Sequence, residues 1–203
     1  MKNLGILISG RGSNFEAIAR SVVSGQIPAR IVTVISNRAE ARGLEVAREM
    51  GFHARCIPSK GRTREDFERE LLEALQSFQT DLICLAGFMR VLSPDFVKRF
   101  PNRILNIHPS LLPAFPGMDA QKQALEHGVK LTGCTVHLVN EGVDSGPIVL
   151  QAAVPVLDED TVETLSARIL EQEHRIYPEA VKLLVEDRIR IQGRRVFLKR
   201  DGN

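Results

Sequence analysis

Short apolar runs rich in valine, isoleucine and leucine alternate along the chain with segments in which apolar residues recur every three or four positions. The runs have the length of buried strands, and the recurring positions have the period of amphipathic helices. Helices are predicted around residues 15–22 and 67–78. The predicted strands are residues 4–8, 31–35, 53–57, 81–86, 104–107, 133–139 and 148–154.

Strands that are apolar throughout and separated by helices predict a parallel sheet covered on both faces. The last two predicted strands are divided only by a turn, which predicts an antiparallel hairpin at one edge of the sheet. The pattern therefore predicts a doubly wound α/β fold with a mostly parallel sheet, an antiparallel edge hairpin and C-terminal helices. Such sheets bind ligands at the carboxyl ends of their strands.

The C-terminal part of the chain is predicted to be helical. A long helix is expected over residues 161–176, with Asp160 as its N-cap and Glu163 as the reciprocal partner of that cap. A second helix over 178–186 and a short hairpin over 189–198 would complete the chain.

Composition narrows the classes of function. The 203 residues fit one domain, or at most two small ones that share a core. The formal charge of +2 comes from scattered basic residues, so we expect neither a nucleic-acid nor a membrane partner. No apolar segment approaches the roughly 18 residues of a membrane span. No metal-ligand motif is present, so no metal is expected. A reducing cytoplasm is the simplest setting, because the cysteines are odd in number and widely spaced: Cys56, Cys84 and Cys134.

The first predicted strand runs into a glycine-rich turn, Ser-Gly-Arg-Gly-Ser-Asn-Phe, at residues 9–15. Ser13 is predicted to cap the following helix, with Glu16 returning the hydrogen bond, and the free amides would seat an anion. Phe15 replaces the third glycine of a dinucleotide fingerprint, and Asn37 ends the second strand where a ribose-binding acid is expected. The turn therefore predicts a cradle for a single phosphate, and a tight turn with a good cap is the structural alternative.

The stretch Asn-Ile-His-Pro-Ser-Leu-Leu-Pro ends another apolar run with two polar side chains. Asn106 and His108 are two residues apart, so they share one face at the carboxyl end of a strand. Asp144 lies in a later glycine-flanked turn, and a carboxylate beside His108 would stabilise the charged imidazole as a general acid. Asn106 could then donate to a forming oxyanion.

Each of these residues also has a structural reading. A buried histidine is often only a hydrogen-bonded core residue, and asparagine or aspartate often only closes a turn. Ser110 is a possible internal nucleophile, but no Gly-x-Ser-x-Gly elbow surrounds it.

Five segments, in this order, resemble the folate-dependent phosphoribosylglycinamide formyltransferase family over nearly the whole chain: LISGRGSN, LAGFMRVLSP, ILNIHPSLLP, VDSGPI and QEHRIYP. The resemblance implies that the amine of glycinamide ribonucleotide attacks the formyl carbon of 10-formyltetrahydrofolate, in the third step of de novo purine biosynthesis. The folate is a co-substrate, no metal is implied, and the enzyme would be a monomer or homodimer.

The resemblance also implies roles for the residues of the reaction. His108 would be the general acid, Asn106 would stabilise the oxyanion of a tetrahedral intermediate, and Asp144 would hold His108 charged and relay protons. A second set would bind the ribonucleotide through its phosphate, and through its ribose or amine end: Gly12, Ser13, Asn14 and Glu173.

By the same resemblance, a third set would bind the folate: Arg64, Met89, Arg90, Val91, Leu92, Asn140, Glu141, Gly142 and Val143. Structural alternatives remain, because Met89 and Leu92 could be core residues and Arg64 a surface charge. Glu173 could instead form a buried ion pair with an arginine. Residues 1–203 would form a single formyltransferase domain, with a phosphate-binding half (1–100) and a catalytic and folate half (101–203).

The sequence departs from the family at one position. Asp119 stands where the family commonly has a histidine, two residues after Pro116-Gly117. Residues 110–130 are predicted to form a mobile loop over the site. A role for a histidine in this loop is therefore in doubt.

Rival functions predict different lengths or behaviour. Methionyl-tRNA formyltransferase would need an added domain of about 100 residues, and formyltetrahydrofolate hydrolases an N-terminal regulatory domain, so we expect neither in 203 residues. A non-catalytic binder of sugar phosphates would keep the fold and bind without turnover. A hydrolase that uses Ser110 would form a covalent intermediate.

Overall fold

A computed structural model describes residues 1–199. The chain divides into two compact units, and the division falls between Leu105 and Asn106. The sequence-based halves divide at residue 100 instead. That the two units act as one domain remains a prediction.

The first unit alternates strands and helices. The strands β1 (Lys2–Ile8), β2 (Ala29–Ser36), β3 (Ala54–Cys56) and β4 (Leu82–Leu85) are parallel, with β1 paired to β2 and β4, and β2 paired to β3. The helices are α1 (Ser13–Val23), α2 (Arg42–Glu49), α3 (Arg64–Ser77) and α4 (Pro94–Lys98). The strand β5 (Ile104–His108) contains the boundary between the units.

The second unit contains α5 (Ala120–Glu126), β6 (Leu131–Leu138), β7 (Ile148–Pro155), α6 (Val162–Val185), β8 (Ile189–Gln192) and β9 (Arg195–Leu198). β6 and β7 are antiparallel, and β8 and β9 form a separate antiparallel pair. The strand order of the main sheet is β3-β2-β1-β4-β5-β6-β7. The predicted α/β fold, its edge hairpin and the terminal hairpin are confirmed.

The apolar runs of β1 and β4 form strands that are buried on both faces. In β1, five of the seven residues are buried, and α1 contributes Phe15 and Ile18 to the core. Continuous burial removes the polar alternation of a half-exposed strand, which explains why these runs are apolar throughout.

The predicted cap of α1 is wrong. Gly12 is the N-cap, with φ of +82°, and Ser13 is already the first helical residue. The Glu16 amide donates to the Gly12 carbonyl oxygen at 2.9 Å. Because Gly12 turns the chain into the helix one residue early, the Ser13 side chain is not in the capping position.

The predicted cap of α6 is wrong as well. Thr161 is the N-cap and exchanges hydrogen bonds with Thr164, whose amide and hydroxyl complete a capping box. Asp160 lies one residue earlier and binds the Arg168 guanidinium at 2.7 Å. The reciprocal hydrogen bond to the N-cap backbone is therefore made by the Thr164 side chain and not by Glu163.

The predicted break before Pro178 is also wrong, since α6 continues through this proline. Proline removes one backbone donor from a helix interior. The residues on both sides, Tyr177, Ala180 and Val181, are buried. Their packing holds the helix together across the missing hydrogen bond.

Three short helices were not predicted: α2, α4 and α5. They have five to eight residues, which is too short for a clear helical period. The segment predicted as a loop over 110–130 therefore contains a helix. Within residues 1–199, no helix is both long and apolar enough to cross a membrane.

Candidate active site

The carboxyl end of β5 carries Asn106 and His108 on one face, and the turn after β6 brings Asp144 to both. His108 Nδ1 lies 3.3 Å from Asp144 Oδ2, and Asn106 Nδ2 lies 3.5 Å from Asp144 Oδ1. His108 is buried, whereas Asn106 is half-buried. The three residues that the sequence singled out are therefore adjacent within the second unit.

Both ring nitrogens of His108 face oxygen atoms that only accept hydrogen bonds. Nδ1 faces the Asp144 carboxylate, and Nε2 lies 2.8 Å from the Phe115 carbonyl oxygen. A neutral imidazole carries one N–H and would leave one of these contacts without a proton. A doubly protonated ring would donate to both oxygens, and in that form the imidazole can act as an acid.

Asp144 is held as a carboxylate. Burial by itself raises its pKa, but hydrogen bonds from His137 and the Gly117 amide, together with the charge of His108, outweigh burial and lower the pKa below its ordinary value. The Gly117 amide lies 2.8 Å from Asp144 Oδ2. The acid therefore stays negative beside the imidazole.

Sequence reasoning missed His137, which lies in β6. Its Nε2 is 3.1 Å from Asn106 Nδ2 and 3.6 Å from Asp144 Oδ1, and its Nδ1 is 3.1 Å from the Leu138 carbonyl oxygen. Without a proton, Nε2 accepts from Asn106, and with one it donates towards Asp144. The available signal was weaker than that of His108, because His137 lies inside an apolar strand and no proline directly follows it.

The turn that positions Asp144 requires special backbone geometry. Asn140 Oδ1 accepts from the Gly142 amide at 3.2 Å and from the Ser145 hydroxyl at 2.9 Å. A Cβ on Gly146 would lie 1.7 Å from the Leu138 carbonyl oxygen, so only glycine fits there. Asp144 itself has φ of +47°, a conformation that aspartate tolerates better than most residues.

Ser110 is poorly placed to be a nucleophile. It is fully buried, and its hydroxyl donates to the Ala114 carbonyl oxygen at 2.5 Å. A hydroxyl that is engaged in this way needs an adjacent base to become a nucleophile. The contact gives Ser110 a structural role in the chain that follows β5.

In the first unit, the glycine-rich turn packs closely against the start of α2. A Cβ on Gly12 would lie 2.9 Å from Gly43 Cα, and the Gly43 amide donates to the Gly10 carbonyl oxygen at 3.0 Å. The following residues, Ser13 and Asn14, begin α1, where backbone amides lack acceptors within the helix. Sequence reasoning missed Gly43, because only the fold brings it to the turn.

Replacing Gly12 with alanine is expected to lower the free energy of unfolding by about 1–3 kcal/mol, since alanine adds both strain at positive φ and a backbone clash. Gly10→Ala is the matched control, because nothing lies within 4 Å of a Cβ built there. Chemical denaturation of both variants measures the difference. Equal losses would contradict the close packing of this turn.

Residues 89–92 follow β4, and some of their side chains are exposed whereas others are buried. Met89 is 64% exposed and Val91 57% exposed, so the core reading is wrong for Met89, whereas Leu92 is buried. The Arg90 guanidinium lies 5.9 Å from the centre of the Phe67 ring. Two exposed apolar side chains on one short segment are suited to contact a flat apolar ligand.

The other predicted ligand residues lie in both units. Arg64 is the exposed first residue of α3. Residues 140–143 form the exposed part of the turn before Asp144. Glu173 is buried on α6 near Cys134 of β6, where burial and the charge of Glu173 raise the pKa of the thiol to about 12. The predicted folate residues are thus divided between the first and second units.

Asp119, which replaces the family's loop histidine, is the exposed N-cap of α5. It has φ of +56° and makes no side-chain capping hydrogen bond. It is not part of the contacts around Asp144. Across residues 1–199, no group of three or more histidine, cysteine, aspartate or glutamate side chains is arranged to bind a metal ion.

Comparison with known proteins gives one family. The formyl transferase family matches residues 2–181. Phosphoribosylglycinamide formyltransferase of Haemophilus influenzae is 45% identical over 204 residues, covering 98% of this chain and 94% of its own length. The crystal structure of glycinamide ribonucleotide transformylase 1 from Symbiobacterium toebii matches with a TM-score of 0.96 and 56% identity, covering 98% of this chain and 95% of that chain.

A longer relative matches only in part. The trifunctional purine biosynthetic protein adenosine-3 of Bos taurus is 49% identical over 187 residues, which is 92% of this chain but 18% of that protein. The similarity to the bacterial enzyme, by contrast, extends over almost the full length of both chains. The chain therefore belongs to the formyl transferase family, and within it to the phosphoribosylglycinamide formyltransferases.

Proposed function

We propose that this chain transfers the formyl group of 10-formyltetrahydrofolate to the amine of glycinamide ribonucleotide, in the third step of de novo purine biosynthesis. The observation that carries the proposal is the contact of Asp144 with both His108 and Asn106 at the end of β5. An acid, an amide donor and a carboxylate are the groups that acyl transfer to an external amine requires. Family membership supports the choice of substrates.

The reaction proceeds by addition and elimination. The amine nitrogen bonds to the formyl carbon, and negative charge collects on the formyl oxygen. Asn106 Nδ2 and the protonated His108 donate to that oxygen. The bond from the formyl carbon to N10 then breaks, N10 takes up a proton, and the amine loses one through Asp144.

Binding of the formyl donor must break the contact between His108 and the Phe115 carbonyl oxygen. His108 Nε2 lies 2.8 Å from the Phe115 carbonyl oxygen. In the proposed reaction, the formyl oxygen takes the place of this carbonyl as acceptor. Asp144 remains on Nδ1 throughout and orients the ring.

The remaining residues bind the substrates. We assign the ribonucleotide phosphate to Gly12, Ser13 and Asn14, and its ribose or amine end to the buried Glu173. The pterin of the folate is assigned to residues 89–92 and 140–143, where exposed apolar side chains include Val143. Arg64, exposed at the start of α3, is assigned to the anionic glutamate tail.

The cellular setting follows from the same proposal. The thiols of Cys56, Cys84 and Cys134 are all free, which suits a reducing cytoplasm. We propose a monomer or homodimer with small-molecule partners, one domain in which residues 1–100 bind phosphate, and no resident metal.

A spectrophotometric assay of tetrahydrofolate release, with and without glycinamide ribonucleotide, tests the proposal. Release that depends on the ribonucleotide supports formyl transfer. Release without it would indicate a hydrolase. Binding of the ribonucleotide with no release would indicate a non-catalytic sugar-phosphate binder.

A further inference from the structure

Three buried polar side chains that the proposed reaction does not use lie at the carboxyl ends of neighbouring strands. Ser9 follows β1, Asn37 follows β2 and Ser59 comes after β3, and they are only 4%, 5% and 7% exposed. Polar groups this deeply buried are costly unless they are hydrogen-bonded. Their bonding partners therefore indicate why they are there.

The three side chains form one continuous row of hydrogen bonds. The Met89 amide donates to Ser9 Oγ at 2.8 Å, and the Ser9 hydroxyl donates to Asn37 Oδ1 at 2.6 Å. The Asn37 side-chain amide then donates to Ser59 Oγ at 3.0 Å. Because Asn37 Oδ1 can only accept, the single hydroxyl proton of Ser9 is donated to Asn37, and the Ser9 oxygen accepts from Met89.

The row ends at the segment to which the proposed function assigns the pterin. Met89 is the first residue of that segment, and Ser93, just beyond it, is held by buried Glu68, which accepts from the Ser93 amide at 2.7 Å and from its hydroxyl. The exposed residues Met89, Arg90 and Val91 thus lie between two buried anchors. Anchors of this kind fix an exposed binding segment on a rigid part of the fold.

Ser9 also belongs to the glycine-rich turn. Its amide donates to the Gly87 carbonyl oxygen at 3.1 Å, and its backbone leads directly into residues 10–12. One residue therefore joins the turn assigned to the phosphate with the segment assigned to the folate. Within this row, Asn37 Oδ1 takes the Ser9 hydroxyl proton, and the Ser9 oxygen accepts from the Met89 amide.

We propose that Ser9 and Asn37 are positioning residues for the folate substrate. They hold the Met89 amide, and with it the segment 89–92, in the conformation that binds the pterin. This inference rests on the proposed function. Neither side chain takes part in the chemistry, which depends on Asn106, His108 and Asp144.

Steady-state kinetics of Ser9→Ala test the inference. Removing the hydroxyl leaves the Met89 amide without its acceptor, so KM for 10-formyltetrahydrofolate is expected to rise on the order of ten-fold. We expect kcat to stay within about two-fold, because the groups of the reaction are untouched. Asn37→Ala should raise KM less than Ser9→Ala, since Ser9 keeps its bond to Met89.

Ser77→Ala is the matched control. Its hydroxyl likewise donates one hydrogen bond, to the Ala74 carbonyl oxygen at 2.8 Å, but this bond involves neither segment. We expect no change in KM for this variant. An unchanged KM in Ser9→Ala, or a fall in kcat alone, would overturn the inference while wild-type transfer still upheld the proposed function. A wild-type protein without transfer would instead refute the proposed function.

A second measurement needs no variant, in case Ser9→Ala does not fold. In the wild-type protein, the Met89 amide should exchange with solvent on the order of 100-fold more slowly than in an unstructured peptide, because Ser9 accepts its proton in a buried position. Exchange at the unstructured rate would overturn the inference.

Discussion

The His108→Ala variant is expected to lose about 10³-fold in kcat, because the alanine removes the side chain assigned as the general acid of the reaction. Binding of glycinamide ribonucleotide should change little, since its phosphate is assigned to Gly12, Ser13 and Asn14 in the other unit. Steady-state assays of tetrahydrofolate release give kcat, and calorimetric titration with the ribonucleotide gives its Kd.

His53→Ala is a suitable control for this variant. It deletes an exposed imidazole of the first unit whose Nδ1 lies 3.1 Å from the Thr33 hydroxyl. We expect its kcat to stay within about two-fold of wild type. If His108→Ala kept more than a tenth of the wild-type kcat, His108 would not be the general acid.

The Asp144→Asn variant is expected to lose about 10²–10³-fold in kcat, because an amide of the same shape no longer supplies the negative charge beside His108. The KM values should change less than kcat, since the turn around residue 144 keeps its backbone contacts. Asp158→Asn is the control, because Asp158 is an exposed carboxylate of the same unit that pairs with Lys130 on the surface. A loss of less than about three-fold in Asp144→Asn would contradict the assigned role.

The lowered pKa of Asp144 also predicts how this variant responds to pH. The unfolded carboxyl titrates near 3.8, and the folded one titrates lower. The ionised group therefore contributes its full stability above the unfolded pKa, and this contribution is lost as the pH falls from there through the folded pKa. The stability that the ionised Asp144 gives the wild type relative to Asp144→Asn should be constant at neutral pH. It should decrease as the pH falls below about 4. Denaturant titrations at pH 7 and pH 3.5 measure it, and a stability difference independent of pH would contradict the assignment.

Local patterns in the sequence were reliable where the local structure depends on burial alone. The apolar runs became strands, and the two-residue spacing of Asn106 and His108 put both on the same face, because strand geometry has a period of two. Helix ends were less predictable. Gly12 and Thr161 displaced the predicted caps because each choice depends on backbone conformation and on competing partners such as Arg168.

Residues that act through distant contacts were the ones that the sequence did not reveal. His137 and Gly43 lie in ordinary-looking stretches, and each matters because another part of the chain folds against it. Ser9 and Asn37 were noted only as parts of a turn and a strand end. The bond between Ser9 and Asn37 and the bond from Met89 to Ser9 exist because parallel strands bring their carboxyl ends together.

By itself, the sequence determined the alternation of strands and helices, the family, and the residue types that suit formyl transfer. Only the tertiary structure decided that Asp144, 38 residues after Asn106, contacts both Asn106 and His108. The physical reason is that a side chain's chemistry and its local period are encoded along the chain. The distance between two turns depends instead on how the strands between them pair and pack.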